Sequence, residues 1–525
     1  GKKLPYSTSF DDFFTAEAED GSGRRTLPVA GNKPIYSAAY FQDKFTFRDI
    51  IFRLGLRVDR YDANTKVLRD PYSLNQIMSA NDFYALNPDE NRFAAVQDDW
   101  KVYVVSDGGS DVRAFRDGDQ WYTAEGTPVN DGSVILGNEI PIPFYVEPDQ
   151  DKRNIRLRGF NVEQSFEDYK PQVSWMPRLA FSFPISDEAN FFVHYDVLVQ
   201  RPPSNTIATA LNYFYWSDGP PRNNPNLKPE KTIDFEVGFK QKITNSSAIT
   251  LTSYYKELRD MIQSQRYLFV PGVPGNSYAS YGNQDFGTVK GFSFSYDLRR
   301  TQNLELTAAY TLQFADGTGS SETTQSDLQL NSRGNLRYLS PLSFDERHRL
   351  SGNLDYRYGT GKQYNGPRWF GKDVFSNAGL SLQANAASGR PYTKREKPEI
   401  YGSSGIGGSI NGSRLPWNFS IDLRADKSFR LGAVESPNSL FMNVYVRVEN
   451  LLDTRNIVGV YSASGSAYDD GFLETPSGAS SVQTLIDSGR EDDVDNYLFS
   501  YQMGELNSGF FTAPRRIYLG ASVQF

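Results

Sequence analysis

Apolar and polar residues alternate with a period of two along most of this chain. The last segment shows it most clearly: Ile517, Leu519, Ala521, Val523 and Phe525 fall on one face, and Tyr518, Gly520, Ser522 and Gln524 on the other. Segment 440–449 repeats the pattern, with Leu440, Met442, Val444, Val446 and Val448 opposing Asn443, Tyr445, Arg447 and Glu449. So does 417–426, where Trp417, Phe419, Ile421, Leu423 and Ala425 oppose Asn418, Ser420, Asp422, Arg424 and Asp426. Similar segments lie near 34–47, 49–61, 174–185, 190–198, 232–242, 247–258, 286–298, 303–314, 346–358 and 373–387. Period-two alternation is the signature of strands with one apolar face. Most of the segments reach the ~9–11 residues that a tilted strand needs to cross a bilayer.

The polar face is ionic. It carries Arg53, Arg57, Arg178, Asp196, Asp234, Glu236, Asp355, Arg357, Asp422, Arg424, Arg447 and Glu449. A single such strand could belong to a soluble sheet. Thirteen without a helical segment to cover the apolar face point to an all-β transmembrane antiparallel barrel, apolar outward and polar inward. The inward charges then line an aqueous path or hold a plug in the barrel. The mixed signs, and the filling that a wide barrel needs, favour the plug.

The gaps between segments alternate short and long. Short gaps fall at 48, 186–189, 243–246, 299–302 and 431–439, with a medium turn at 359–372, and long ones at 62–173, 199–231, 259–285, 315–345, 388–416 and 451–513. Outer-membrane barrels have this asymmetry, with tight periplasmic turns and long extracellular loops. The parity puts the C-terminus on the periplasmic side. Thirteen is nevertheless not the even strand number of a closed bacterial barrel.

Composition changes this picture little. Of 525 residues, 38% are hydrophobic, yet there are 32 Tyr, 36 Phe, 6 Trp and 43 Gly, which favours strands. The absence of cysteine excludes disulfides, a thiol nucleophile and a Cys-ligated metal. The net charge of −8 speaks against nucleic acid. That charge is not spread evenly. Residues 62–173 hold 20 acids and 11 bases, a net of −9, so the remainder is near neutral at +1. This insertion is too long for a bare loop. Its strand-like stretches Trp100–Val105 and Val134–Ile142, and the run Phe115–Trp121, suggest a folded cap over the barrel mouth. Residues 1–33 read as a loop, or as the end of a preceding extracellular loop.

Several motifs resemble those of TonB-dependent outer-membrane receptors. Val448-Glu449-Asn450-Leu451-Leu452-Asp453 is similar to the family's N-L-F-D motif at the outer end of the penultimate strand. Pro514-Arg515-Arg516 opens a final strand ending in an aromatic, which resembles the signal read by outer-membrane assembly machinery. The stretch Asn224–Thr232 matches the family's N-P-x-L-K-P-E. Tyr40–Lys44, Gly55–Asp59, Gly287–Gly291 and Asp345–Arg349 resemble further strand motifs, and the set looks most like the large receptors of Bacteroidota. The resemblance implies a 22-stranded barrel around an N-terminal plug, of which this chain supplies about the last thirteen strands, beginning at strand 10. It also implies TonB as energy-coupling partner, outer-membrane lipid as surroundings and import of a ligand. The plug, the TonB-contacting segment and about nine strands would lie outside this chain. A barrel that docks other proteins in an assembly or secretion complex, and a 14-stranded passive channel, are the alternatives.

No site for catalysis, cofactor or metal stands out. Gly366–Lys372 approaches the phosphate-binding loop pattern, but Asp373 replaces the required Ser or Thr and the setting is a turn between strands. His194 and His348, the two histidines, lack a G-x-S-x-G elbow or H-E-x-x-H context and read as structural hydrogen-bonding groups in the lumen or at the rim. Asp469-Asp470-Gly471 and Glu491-Asp492-Asp493 offer oxygens for calcium without EF-hand spacing, so a solvated turn is the default. Tyr213, Phe214, Tyr215 and Trp216 form an aromatic run in a long outer loop that either contacts a ligand or partner protein or packs inside the loop cap.

Overall fold

The computed structural model describes residues 6–29, 31–129, 132–135, 140–202, 207–219, 222–324, 338–398, 405–431 and 440–524. Thirteen long strands form one antiparallel sheet in strict chain order. They are β1 (Ile35–Phe47), β2 (Ile50–Asp62), β3 (Gln172–Ser186), β4 (Ala189–Gln200), β5 (Glu230–Lys242), β6 (Ser247–Leu268), β7 (Ser277–Thr301), β8 (Leu304–Gly317), β9 (His348–Arg357), β10 (Ala378–Ala387), β11 (Asn418–Leu431), β12 (Leu440–Glu449) and β13 (Arg516–Gln524). Each of the thirteen periodic segments is one of these strands. Phe525 lies outside the described residues.

Tight reversals join the strands at one end. Arg48-Asp49, Asp187-Glu188 and Gln302-Asn303 are two-residue turns, with Arg48 and Gln302 at φ 54° and 56°, the left-handed conformation that short hairpins demand. Residues 358–377 are the exception at this end among the described residues. The other end carries the long connections.

One of these differs from expectation. The span 259–285 is mostly ladder, because β6 and β7 stay paired to Leu268↔Ser277 and only 269–276 turn. A bulge between Leu258 and Met261, with Asp260 at φ 56°, marks where apolar alternation stops and the hairpin continues into the cap. At the other strand ends, 373–377 belong to the turn, since β10 starts at Ala378.

Directly opposed residues of antiparallel strands share a face. The outward face carries Leu54, Trp175, Phe235, Leu350, Leu380, Val444 and Leu519, all exposed. Trp175 is 62% and Leu519 81% accessible, values that suit a lipid-facing surface and not a soluble core. Tyr310, His348 and Trp417 gather on this same face near the long-loop end. The Tyr310 hydroxyl lies 2.9 Å from His348 Nδ1, and the imidazole stacks on Trp417 at 5.7 Å. Aromatic belts sit at this level of a bilayer. No helix among the described residues is long and apolar enough to span a membrane.

The buried core lies elsewhere, in the cap. Within 62–173, strands Pro128–Val129, Gln120–Thr123, Val112–Asp117, Lys101–Val104 and Ile142–Pro143 form a sheet, and Lys66–Leu68 pairs with Phe166–Asp168. The helix Ala80–Leu86 is capped by Ser79, whose side chain accepts from the Asp82 amide, and buries Ala80 and Phe83 one turn apart. The expected strand Val134–Ile142 is not continuous. Gly132–Ile135 is a 3-10 turn, Ile142–Pro143 is strand, and 136–139 lie outside the described residues. Within 1–33, read as loop, Tyr6–Thr15 is a helix, and Phe10, Phe13 and Phe14 enter the cap core beside Phe166 and Tyr213. Helices also occur at Pro476–Asp487 and Val494–Gly504 in the last long connection.

Candidate functional site: the inner face of the wall and its rim pocket

The strand register carries the ionic set across the whole sheet on a single face. Arg53 opposes Ala180, Arg57 opposes Met176, and Arg178 opposes Asp196. Asp196 opposes Asp234, and Glu236 opposes both His194 and Tyr254. Further along, Asp355 opposes Ser381, which opposes Arg424, which opposes Arg447. Arg357, Asp422 and Glu449 follow in the same registers. All twelve residues therefore share one face, opposite the exposed apolar one, with His194 beside them.

The face is wired by pairs that register alone creates. Arg357 grips Asp426 through two bonds of 2.7 and 3.0 Å, and Asn443 adds a third donor to that carboxylate at 2.9 Å. Lys256 meets Asp234 at 2.7 Å. Arg57 binds Asp59 at 2.7 Å and the Tyr36 hydroxyl at 2.8 Å. Asp355 is held by Arg300 and by the Ser381 hydroxyl. Arg424 lies 4.3 Å over Tyr445, and Arg447 4.9 Å over Tyr518 while also pairing with Glu449. Arg53, Arg178, Asp196 and Glu236 make no ion pair among the described residues. Sequence reading missed Lys256 and Arg300 as members of this network, and it set Asp426 on the polar face without a partner. Residue parity places Lys256 and Asp426 on the inner face, but the pairing needs the register.

At the long-loop end of β9–β13 the inner face opens into a pocket of about 500 Å³. Glu346, Arg349, Arg390, Asn385, Asp422 and Glu449 line it. Arg390 and Arg349 reach Glu346 at 2.8 and 3.4 Å. Asn418 Oδ1, also at the wall, is buried without a hydrogen-bond partner. Donors and acceptors of both signs suit a polar ligand or a protein loop. A nucleophile, base and orienter are not assembled here. Asp345, close to His348 in sequence, is fully buried and instead accepts from the Ala315 amide, Arg347 and Arg414.

The motif residues act as staples. Asn450 sits at φ 52°. Its side chain exchanges bonds with Thr454 at 2.9 and 3.0 Å and donates to the Ala513 carbonyl at 3.1 Å. Asp453 accepts from the Arg515 amide at 2.8 Å, so this motif ties the end of β12 to the start of β13. Asn224 and Lys228 bind Tyr281 and Asn283 on β7, fixing the approach to β5.

Other candidates resolve differently. Tyr213 and Trp216 are buried in the cap core, stacked at 6.4 Å. Phe214 is partly covered, and only Tyr215 is well exposed. The helical turn Ala210–Phe214 sends successive side chains to different sides, so one run splits between core and surface. Asp469, Asp470 and Glu505 bring carboxylates together within 4.8 Å. Protein donors already serve this cluster: the Phe472 amide and Tyr501 hydroxyl reach Asp470 at 2.8 Å, and the Asp470 amide reaches Glu505 at 2.9 Å. Glu491–Asp493 form a separate exposed turn. Gly366–Lys372 is a hairpin tip with no helix after it.

An outward apolar face, an inward ionic face and alternating connections define an outer-membrane β-barrel wall. The sequence matches the TonB dependent receptor-like, beta-barrel family over residues 4–451, and the chain belongs to that family. It is a receptor and transporter family, not an enzyme family, and its members reside in the outer membrane. None of the curated proteins compared matches the sequence. Solved structures similar to it include the ferric-catecholate import receptor Fiu from Escherichia coli (13% identity, TM-score 0.40, 83% of this chain and 44% of that one). Others are the copper transporter OprC (10%, 0.38, 82% and 44%) and the ferric yersiniabactin uptake receptor FyuA from Yersinia pestis (12%, 0.38, 81% and 42%). The chain spans less than half the length of these receptors.

Proposed function

We propose that this chain is the C-terminal wall of a TonB-dependent transporter that imports a ligand across the outer membrane. The single inward ionic face carries the reading. Charges on it that make no ion pair among the described residues, Arg53, Arg178, Asp196 and Glu236 among them, await a polar partner, and a plug surface of mixed charge fits them. Backbone groups at the outer edges of β1 and β13 have no strand partner among the described residues. Hydrocarbon tolerates no open edge, so further strands complete the wall. That arrangement disfavours a closed 14-stranded passive channel, which needs β1 to pair through to β13. Long connections face the exterior, and the C-terminus faces the periplasm. Ligand enters through the acidic cap and reaches the rim pocket, and TonB supplies the energy that remodels the plug.

The test is the full-length gene product. A plug with a TonB-contacting segment is expected ahead of Gly1, and a cross-linker placed in that segment should capture TonB in intact cells. A preceding region without a plug sinks the transport reading. Stable co-purification with outer-membrane partners, together with an unchanged phenotype after deletion of the TonB-contacting segment, would favour a docking platform instead.

A further inference from the structure

Among the described short-end turns, the connection 358–377 stands apart. Its neighbours Arg48-Asp49, Asp187-Glu188 and Gln302-Asn303 are bare reversals. This one is a folded unit built outward from the lipid-facing side of the wall. Tyr356 occupies the outward face, opposite Leu380. From it runs a chain of rings: Tyr356 to Tyr358 at 5.3 Å, then Tyr358 to Tyr364 at 5.9 Å and to Phe375 at 6.0 Å. The Tyr364 hydroxyl donates to the Pro367 carbonyl at 2.5 Å, Arg368 pairs with Asp373 at 2.9 Å, and Lys427 from β11 donates to the Val374 carbonyl.

This framework presents a two-residue hairpin. Trp369 and Lys372 exchange backbone hydrogen bonds of 3.0 Å in both directions. The central residues Phe370 and Gly371 sit at φ 49° and 72°. Glycine and asparagine suit such positions, whereas a bulky aromatic held left-handed is strained. Phe370 is 96% accessible, more than any other large apolar residue described, and Trp369 is 67% accessible. Local strain retained with full exposure points to a role for the side chain outside the fold. The surrounding charge is positive: residues 358–377 hold Lys362, Arg368 and Lys372 against Asp373 alone. Lys362 and Lys372 make no ion pair among the described residues.

We propose that the Trp369-Phe370 tip inserts into the headgroup region of the leaflet at the short-turn end, with Lys362 and Lys372 selecting anionic phospholipid. Aromatic rings beside cations, continuous with the outward aromatic face, match the chemistry of an interfacial anchor. The contact does not depend on transport.

The 525 residues contain no cysteine, so Trp369→Cys gives one labelling site on this chain, beside a Phe370 left in place. The full-length protein carries an environment-sensitive dye there and is reconstituted in phosphatidylcholine vesicles with or without phosphatidylglycerol. The expected result is a blue shift and quenching by headgroup-labelled lipids, both stronger with phosphatidylglycerol. Equal signals in the two vesicles would overturn the assigned role of the lysines. A label quenched by iodide supplied on both sides, but not by lipid, would overturn insertion. So would burial that appears only when periplasmic extract is added, which would assign the tip to a protein partner. Phe370→Asn suits the left-handed turn and keeps the fold. Combined with a label at Trp369→Cys, it should lose lipid quenching while thermal unfolding stays unchanged. Retained quenching would remove Phe370 as the anchor.

Discussion

The wall and the cap are built from the same residue types by opposite rules. In the wall, Leu179, Phe181 and Phe235 point outward and stay exposed, while charges gather inside. In the cap, Phe115, Tyr103 and Val102 are fully enclosed, and charges such as Asp107 and Arg158 sit on the surface. Arg116 is the instructive exception. It is buried in the cap against Asp70, with its guanidinium 4.2 Å over Tyr72, so an ion pair and an aromatic face replace the water that burial removes. The wall relies on lipid to cover its apolar face, whereas the cap covers its own. Stability in the two regions should therefore respond to different perturbations.

The largest separation is expected from the cap core. Phe115→Ala empties a fully buried ring site beside Trp100 and should destabilise the cap by about 3–5 kcal/mol. Limited proteolysis should then cut within 62–173 while the wall keeps its heat-modifiable mobility on gels. If the two regions fail together, they are one folding unit. The reverse experiment places a charge on lipid. Leu179→Arg, near the middle of β3, should cost about 2–4 kcal/mol in bilayer folding titrations and leave cap proteolysis unchanged. A neutral result would mean that this face does not meet hydrocarbon.

The same contrast explains what could be read from the chain. Wall strands write their environment locally, because lipid on one side and polar groups on the other force alternation. All thirteen were thus visible, and parity alone set the twelve charges on one face. The cap buries both sides of its short strands, so alternation fades, and Val134–Ile142 read as strand although Gly132–Ile135 is a 3-10 turn and strand is described only from Ile142. The β6–β7 extension was hidden for a related reason. Gln263, Ser264, Gln265 and Asp285 are buried polar residues there, and they look like loop. Partners such as Arg357 and Asp426 are 69 positions apart and meet only through the registers of β9, β10 and β11. Burial of Tyr213 and Trp216 depended on a helical turn that four consecutive aromatics do not announce.

An intermediate effect should come from the inner face, where water and protein share the surroundings. Arg357→Gln removes the two-bond grip on the nearly buried Asp426. Losing charge-assisted hydrogen bonds of this kind costs about 1–3 kcal/mol. A double-mutant cycle with Asp426→Asn should recover part of it if the pair interacts directly. Additive losses would show that each residue serves the wall through other neighbours.

The smallest effect expected is a pH dependence confined to the last long connection, in the ordered segment around Val494–Gly504. Burial, then the adjacent carboxyl of Asp470, raises the Glu505 carboxyl from its ordinary 4.5 to about 7. Asp469 and Tyr501 also face this group, and the Tyr461 hydroxyl donates to the Glu505 carbonyl at 2.6 Å. A carboxyl raised in the folded state binds its proton more tightly there than when unfolded. The folded loop is therefore unpenalised below about pH 4.5, loses stability progressively as pH rises from about 4.5 to about 7, and carries the full penalty above that. Amide exchange of residues 494–504, compared at equal intrinsic exchange rates, should show more protection at the acidic end of this window. Glu505→Gln keeps a neutral group of the same shape and should flatten the dependence at the protected level. Unchanged pH sensitivity in that variant would move the effect to Asp470 or Asp469. No pH dependence in the parent chain would mean that the loop admits enough water to keep Glu505 ionised, a property of exposed wall groups and not of an enclosed cap.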